Sequence, residues 1–257
     1  MSKKISNRDH VNSLARGLEV IKAFTRSRPS MTLSDISRAT GMTRATVRRF
    51  VLTLVHEGYA ETDGKYFSLK PKVLELGFAA LSSLTFVDIA QPVLASMAYK
   101  LKESVYTAVL EEDHVVYVAS AKAPDRYISM SVSVGSRAPA HSVSTGRVLL
   151  AALPEDKLLE YLDQLKITKI TKNTVTSKVK LRSLIEQTRM TGWSIVDQEF
   201  EIGLRSIAVP IRDKNGVVIA ALNVGCPSDR VSPEEMNTTI LLELQKASQE
   251  ITANLQA

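Results

Sequence analysis

The densest group of side chains able to bind another molecule is TRATVRR, residues 43–49. Arginine can pair with the edge of a guanine or with a phosphate, and threonine can contact a phosphate or a thymine methyl group. On a helix, these polar and charged side chains occupy much of the surface and leave one apolar stripe that can face a core. The segment predicts a helix that binds DNA through Thr43, Arg44, Thr46, Arg48 and Arg49.

The residues before this segment predict a helix-turn-helix at residues 32–55. Thr32 can cap a short first helix, and Gly41 suits the left-handed backbone at its end. Thr43 can then cap the second helix, which enters the major groove in such motifs. Thr32 is expected to contact DNA as well. The positions expected to face the core are Leu33, Ile36, Ala39, Val47, Phe50, Val51 and Leu54.

Two flanking segments complete a predicted DNA-binding domain at residues 11–71. Upstream, SLARGLEVIKAF has the spacing of a helix with one apolar stripe. Its expected core residues are Leu14, Leu18, Ile21 and Phe24. Downstream, residues 59–69 contain two β-rich runs around Asp63-Gly64, a strong hairpin signal. This hairpin is the predicted wing, and Lys65 at its tip is expected to contact phosphate.

Positive charge is concentrated in the same part of the chain. The first 72 residues contain 14 Lys and Arg against 6 Asp and Glu, whereas the rest contain 19 against 21. This asymmetry indicates that the first 72 residues bind a polyanion and that the remainder does not. There is one cysteine, Cys226, no apolar run near the roughly 20 residues of a membrane span, and no apolar leader. We therefore expect a cytoplasmic protein with no disulfide framework and no membrane partner.

Beyond the wing, the sequence predicts a linker and a second domain. Residues 1–10 are expected to be flexible. Residues 72–86 are expected to form one apolar linker helix, which either packs on its own domains or pairs two protomers. Asp88 can cap a further helix that ends at Leu101. The second domain is expected to span residues 87–257.

Strands and helices are segregated in this second domain. The strand-like runs are VYTAVLEEDHVVYVASA, RYISMSVSVG, WSIVDQEF, LRSIAVPIRD and GVVIAALNVG. The helical segments are HSVSTGRVLLAAL, KLLEYLDQL, residues 178–190 and the stretch after Pro233, and Ser144 or Thr145 can cap the first. The predicted fold class is α+β, with helices around a mixed or antiparallel sheet, similar to a small-molecule sensor.

The order of these segments resembles the IclR family of bacterial regulators over nearly the whole chain. The resemblance is carried by SLARGLEVIKAF, LSDISRATGMTRATVRRFVLTL and the DGKYFSL wing, then by VLELG, AHSVSTGRVLLA and VDQEFEIGLRSIAVPIRDKNGVVIAALNV. The forms LARGLEVI, TRATVRRFVLTL and VDQEFEIGLRSIAVP look most like the branch that controls protocatechuate, 4-hydroxybenzoate and β-ketoadipate catabolism.

The resemblance implies a winged helix-turn-helix domain, a linker helix and a GAF-like α/β effector-binding domain. Its implied partners are operator sites in double-stranded DNA, a small organic acid effector and further copies of the chain, as a dimer or tetramer. RNA polymerase is a further partner if the protein is an activator. Paired recognition helices would lie about 34–36 Å apart, or a multiple of that, on one face of DNA.

The resemblance also implies an effector pocket. Its expected residues are His141, Ser142, Ser144, Thr145, Arg205, Ser206 and Asn223, with Arg147 as another candidate partner of an anion. Backbone N–H groups at a helix start favour an anion, and arginine suits a carboxylate because it donates two hydrogen bonds. Alternatively, His141 is a packing residue, Ser144 only caps a helix, and Arg205 pairs with Glu199 or Glu201.

Two other functions compete with this reading of the sequence. A nucleoid-type protein would bind DNA without sequence preference and with a steep salt dependence. An enzyme would need a nucleophile and a base, but His141 with Ser142 or Ser144 lacks a G-x-S-x-G elbow. The sequence contains no Walker A loop, G-x-G-x-x-G turn or H-E-x-x-H pair. We therefore expect a protein that is not an enzyme, with no catalytic residues, no metal site and no cofactor.

Overall fold

The computed structural model describes residues 9–25, 27–123 and 132–255. Most of the predicted flexible segment 1–10 and the first part of the strand-like run RYISMSVSVG lie outside the described residues. The chain divides into two compact units, Met1–Ser83 and Leu84–Ala257. No single described helix is long and apolar enough to cross a membrane.

The first unit combines helices with a small antiparallel sheet. Its elements are α1 (Asn12–Ala23), β1 (Ser30–Thr32), α2 (Leu33–Thr40), α3 (Arg44–His56), β2 (Ala60–Thr62), β3 (Tyr66–Leu69), a 3-10 turn (Pro71–Leu74) and α4 (Glu75–Ser82). Strand β3 lies between β1 and β2. Thr32 caps α2, Gly41 ends it with a φ of 70°, and Thr43 caps α3. Local capping chemistry therefore sets the helix-turn-helix where the sequence predicts it.

The core of this unit differs from prediction along α1. Val20 and Ala23 are buried, whereas Leu14 and Leu18 are 64% and 48% exposed. Gly17, Val20 and Ala23 follow one another at helical spacing, and the small residue Gly17 lies next to Phe50 of α3. The helix thus packs through its small side chains, and its leucine stripe is an exposed apolar surface.

The predicted linker helix over 72–86 is shorter and interrupted. Helix α4 ends at Ser82, and a new helix, α5 (Phe86–Leu101), begins after Thr85 rather than at Asp88. The hydroxyls of Ser82 and Ser83 donate to carbonyl groups of the preceding turn. Such bonds compete with the helical pattern of the backbone, which accounts for the break.

The second unit begins with α5. Its further elements are β4 (Ser104–Glu111), β5 (His114–Ala121), β6 (Arg137–Pro139), a 3-10 turn (Ala140–Ser142), α6 (Ser144–Ala151), α7 (Glu155–Gln164), α8 (Lys178–Thr191), β7 (Ser194–Asp197), β8 (Leu204–Arg212), β9 (Val218–Pro227), α9 (Pro233–Glu235), a π turn (Met236–Ile240) and α10 (Leu241–Asn254). The predicted α+β class is confirmed.

The strands of this unit form one antiparallel sheet in the order β6-β5-β4-β9-β8-β7. Helices α5 and α10 pack on one face of the sheet, and α6 packs on the other. Tyr106, Ala208 and Ala221 belong to the core on the α6 side. Because side chains alternate along a strand, Ser206 and Asn223 also face α6. This alternation decides which predicted residues can meet.

Candidate functional site

Helix α3 presents an exposed row of cationic side chains. Arg44, Arg48 and Arg49 are exposed, while Val47 and Val51 on the opposite side are fully buried. The three guanidinium groups form no ion pair or hydrogen bond within the described residues. Exposed and unpaired guanidinium groups on a helix are available to phosphates and base edges. The structure thus places the three predicted arginines on one helix, at the surface.

Thr32 forms the predicted cap of α2. Its hydroxyl donates to Asp35 Oδ2 at 2.6 Å and accepts from the Asp35 backbone N–H at 3.3 Å. The side-chain and backbone hydrogen bonds from Thr32 lower the pKa of the Asp35 carboxyl, assisted by Arg38. Thr32 therefore caps α2 and uses the single donor of its hydroxyl within the protein, and the predicted DNA contact of Thr32 stays a prediction.

Two threonines at the start of α3, the cap residue Thr43 and Thr46 in the first turn, bond to one another. Thr43 Oγ1 accepts from the Thr46 backbone N–H at 3.3 Å and lies 2.9 Å from Thr46 Oγ1. Thr43 is exposed and Thr46 is half-buried. Each hydroxyl still has hydrogen-bonding capacity for a second partner. A contact with DNA is therefore compatible with the capping bond.

The predicted wing is the β2–β3 hairpin. Asp63 Oδ1 accepts from the backbone N–H groups of Lys65 at 2.9 Å and Tyr66 at 2.7 Å, and these bonds lower the pKa of Asp63. Gly64 adopts a φ of 96°, a left-handed conformation that favours glycine. Lys65 is exposed at the tip, with Nζ 5.3 Å from the centre of the Tyr66 ring. The turn therefore holds one lysine outward.

A narrow cavity lies beside the start of α6. Its lining residues are Tyr117, Val132, Val143, Val196, Phe200, Leu204, Ser206 and Asn223. The empty space between these residues is about 310 Å³, which includes open solvent, and the cavity volume open to a water molecule is about 10 Å³. That smaller volume is room for roughly one water molecule. The cavity is thus nearly closed in this structure, and the described part of its wall is apolar apart from three polar groups.

The polar groups of the cavity are neutral. Asn223 is 2% exposed, and its Oδ1 has no hydrogen-bond partner among the described residues. The Ser144 hydroxyl donates to Ser206 Oγ at 2.9 Å. Burial raises the pKa of Tyr117 to about 12, despite the nearby hydroxyl of Thr145. The cavity can therefore exchange hydrogen bonds with a ligand through Asn223, Ser206 and Tyr117.

Several predicted pocket residues lie near the cavity without lining it. Ser142 Oγ donates to the Pro139 carbonyl at 3.0 Å and closes a local turn. Ser144 and Thr145 are buried in the first turn of α6, but the N-cap is Val143, so the capping alternative for Ser144 is wrong. Ser144 acts on the cavity through its bond with Ser206.

His141 is buried, and its side chain is outside the cavity wall. Burial lowers the pKa of its imidazole, although the backbone of Thr168 and the carboxylate of Glu199 oppose this shift. The lowered pKa favours the neutral form of the ring. Both ring nitrogens are buried without a hydrogen-bond partner among the described residues, and the role of His141 in the effector site stays a prediction.

The two candidate arginines are bonded within the protein. Arg205 pairs with Cys226 across the sheet, so its side chain lies on the face opposite Ser206 and Asn223. It donates to Asp197 Oδ2 at 2.9 Å and to the Val231 carbonyl. Arg205 therefore does not line this cavity, and the alternative that it pairs with Glu199 or Glu201 is wrong, because its partner is Asp197.

Arg147 likewise lies outside the cavity. Its Nη2 donates to both carboxylate oxygens of Glu199, at 2.8 and 2.7 Å. Within the described residues, no charged side chain lines the cavity. An anion in this cavity would be held by backbone groups and neutral side chains instead of by either candidate arginine.

Sequence reasoning missed most of the apolar wall. Tyr117 and Val196 lie in strand-like runs, where residue alternation could have assigned them to one face of the sheet. Phe200 and Leu204 flank the turn between β7 and β8, and their approach to the cavity depends on how that turn folds. No local pattern in the sequence specifies it.

Two family models match the chain along its length. The IclR helix-turn-helix domain matches residues 13–64, and the bacterial transcriptional regulator IclR C-terminal domain matches residues 78–253. The chain belongs to the IclR family. Members of this family and the relatives below are transcriptional regulators rather than enzymes, so the chain is a helix-turn-helix regulator that binds DNA and a small-molecule effector.

Among relatives of this IclR family regulator, the Pca regulon regulatory protein of Pseudomonas putida is 44% identical over 247 residues, covering 96% of this chain and 85% of the relative. The p-hydroxybenzoate hydroxylase transcriptional activator of Acinetobacter baylyi is 31% identical over 254 residues, covering 97% and 94%. The predicted similarity to the protocatechuate and 4-hydroxybenzoate branch is thus confirmed.

Solved structures agree with this assignment. A transcriptional regulator from Rhodococcus sp. RHA1 superposes with a TM-score of 0.84 at 42% identity, covering 96% of this chain and 98% of that one. An IclR homologue from Microbacterium hydrocarbonoxydans, solved in complex with 4-hydroxybenzoate, gives a TM-score of 0.81 at 27% identity, covering 95% and 99%. The fold therefore extends over both units.

Proposed function

We propose that this IclR family regulator binds its operator as a dimer and responds to a hydroxylated aromatic acid. The observation that carries the proposal is the unpaired Asn223 Oδ1 in a cavity lined mainly by apolar side chains. A buried acceptor without a partner costs about 1–3 kcal/mol, and a donor on a ligand recovers this free energy. The names of the relatives supply the chemical class, since they refer to the Pca regulon and to p-hydroxybenzoate hydroxylase.

The proposed ligand orientation follows from the cavity wall. A ring hydroxyl would donate to Asn223 Oδ1, while the ring itself would pack between Val143, Phe200 and Leu204. The carboxylate would accept hydrogen bonds from N–H groups in the first turn of α6, where the helix dipole favours an anion. Because the cavity holds roughly one water, binding requires these side chains to move apart.

Calorimetric titration of the full chain tests the effector proposal. The ligands are 4-hydroxybenzoate, protocatechuate and β-ketoadipate, with benzoate as the matched control that lacks the ring hydroxyl. We expect 4-hydroxybenzoate to bind about 10-fold more tightly than benzoate, and Asn223→Leu to remove this preference by removing the acceptor. Equal binding of 4-hydroxybenzoate and benzoate to the wild type would contradict the proposal, and tight binding of β-ketoadipate alone would redirect it to an aliphatic acid.

The proposed dimer uses exposed apolar side chains of the first unit. Two of these side chains are Leu14 and Leu18 on α1. The others belong to the linker segment, namely Leu74, Leu76 and Phe78, which are 76%, 54% and 69% exposed. Apolar surface of this kind marks contact sites. Pairing would place two α3 helices about 34–36 Å apart, so that they enter successive major grooves. Effector binding would change the free energy of DNA binding by about 1–3 kcal/mol through the linker.

Sedimentation and DNA binding test the assembly. We expect a dimer or tetramer that prefers its own upstream DNA over random DNA, and Leu18→Lys combined with Phe78→Lys should dissociate it. A monomeric wild type would refute the dimer. Equal affinity for upstream and random DNA, with a steep dependence on salt, would instead favour the nucleoid-type alternative.

A further inference from the structure

A buried ion pair lies between two parts of the second unit that are distant in sequence. Arg147 of α6 and Glu199, which follows β7, have side chains that are 2% and 9% exposed. Besides its bonds with Glu199, Arg147 donates through Nε to the His141 carbonyl at 3.3 Å. The Val175 backbone N–H donates to Glu199 Oε2 at 3.0 Å. Each charge thus has further partners, as a buried pair requires.

The backbone at Glu199 is held from the other side by two threonines. Thr174 Oγ1 donates to the Glu199 carbonyl at 2.7 Å, and Thr171 Oγ1 donates to the Gln198 carbonyl at 2.7 Å. Gln198 adopts a φ of 58°, and its backbone N–H donates to the Leu204 carbonyl at 2.7 Å. The turn from 198 to 204 is therefore closed at its base and fixed through Glu199.

The same ion pair connects two walls of the effector pocket. Phe200 follows Glu199 directly, and Leu204 closes the turn; both line the cavity. On the α6 side, Val143 lines the cavity and Ser144 bonds to Ser206, one helical turn before Arg147. Neither charged side chain lines the cavity itself. Their effect on a ligand must therefore be exerted through the position of these neighbours.

We infer that Arg147 and Glu199 are positioning residues for the effector pocket, which hold the Phe200 turn against α6 and so set ligand affinity and selectivity. The inference deepens the proposed function and rests on it for the identity of the ligand. An ion pair with several hydrogen bonds fixes distance and direction, whereas apolar side chains of similar volume preserve burial without that geometry. A folded variant with a loosened pocket is the expected result of replacing both charges together.

The test uses the full chain carrying Arg147→Met with Glu199→Leu, which leaves no unpaired buried charge. The control is Arg230→Met with Glu103→Leu, another ion pair of this unit whose glutamate is buried and neither of whose residues lines the cavity. Calorimetry with 4-hydroxybenzoate and benzoate gives affinity and selectivity, and gel shifts without ligand give operator affinity. We expect the first variant to lose about 10-fold or more in 4-hydroxybenzoate affinity, together with its preference over benzoate.

The control pair should stay within about two-fold of wild type in ligand affinity, and both variants should bind the operator normally. The inference is overturned if the Arg147/Glu199 variant binds 4-hydroxybenzoate as wild type does, or if the control pair has the same effect. Glu199→Gln, which keeps an acceptor for the Val175 N–H, should give an intermediate affinity. No intermediate effect in this variant would count against a positioning role.

A second readout separates failure of the inference from failure of the proposed ligand. Amide hydrogen exchange over residues 198–204 should become about 10-fold faster in the Arg147/Glu199 variant, while exchange in α10 stays at the wild-type rate. This result is expected whatever the effector is. Unchanged exchange in the turn overturns the inference, whereas faster exchange with no aromatic acid bound by the wild type refutes only the proposed ligand class.

Discussion

The arginines that the sequence suggests as binding residues lie in opposite environments in the two units. In the first unit, Arg44 and Arg49 stand exposed on α3, with no partner in the described residues. In the second unit, Arg147 and Arg205 are buried and bonded to Glu199 and Asp197. An exposed arginine keeps its donors available for another molecule, whereas a buried arginine must use them within the protein. These four arginines are thus available to another molecule in the first unit and part of the internal structure in the second.

The largest effect should come from breaking a buried pair. Arg147→Ala leaves Glu199 charged and unpaired in the interior, so the free energy of unfolding should fall by about 3–5 kcal/mol. Arg44→Ala, at an exposed position, should change it by less than about 0.5 kcal/mol. Urea denaturation of the full chain measures both. Similar losses in the two variants would abolish the contrast between the units.

The next effect concerns DNA. Arg44→Ala should cost about 1–3 kcal/mol in operator affinity and reduce the preference over random DNA, because a base or phosphate contact is lost. The control is Arg182→Ala on α8, where the arginine side chain is also at the surface but pairs with Glu155 and Glu186. Gel shifts at fixed salt compare the two. If Arg182→Ala weakens binding as much as Arg44→Ala does, α3 has no special role.

A smaller effect tests a residue in the first unit whose side chain is already used. Thr32→Ala removes the cap of α2 and should lower the free energy of unfolding by about 1 kcal/mol. Thr32→Ser keeps the hydroxyl and serves as the control. Operator affinity of the folded protein should be unchanged in both variants. A drop in DNA affinity without a drop in stability would support Thr32 as a DNA contact.

The stabilisation that the Thr32–Asp35 cap contributes depends on pH. Its hydrogen bonds lower the pKa of Asp35 in the folded state, so the stabilisation is present above the pKa of an unfolded-state aspartate. It is lost as the pH falls from there through the lowered pKa of the folded state. Thermal melts of wild type and Thr32→Ala should therefore converge in acid. A constant difference in melting temperature at all pH values would show that the bonds from Thr32 do not stabilise the charged form of Asp35.

The success of prediction also differs between the units. Thr32, Gly41 and Thr43 specify the helix-turn-helix through bonds that span three residues or fewer, and such signals are visible in the sequence. Arg205 and Ser206 are neighbours in sequence, yet they lie on opposite faces of β8. The choice between them depends on sheet pairing with β9, which is a long-range property. The sequence therefore predicts the class of the second unit but not the wall of its pocket.

Along α1, the sequence fails to predict the buried face for another reason. The spacing of Leu14 and Leu18 correctly indicates an apolar stripe, but periodicity does not say what covers it. The core takes the smaller residues Val20 and Ala23 because they allow close packing against α2 and α3. A chain that assembles with copies of itself can carry a second apolar face, and a single sequence does not distinguish this face from the core.

The nearly closed cavity beside α6 has a kinetic consequence. If the cavity opens only part of the time, ligand binds only the molecules whose cavity is open. The apparent Kd then equals the intrinsic Kd divided by the open fraction, and is larger. The rate of response would then follow the opening rate rather than diffusion. Substitutions that widen the resting cavity could sharpen sensitivity without adding any contact to the ligand. The working range of such a sensor is set by how often its empty form opens.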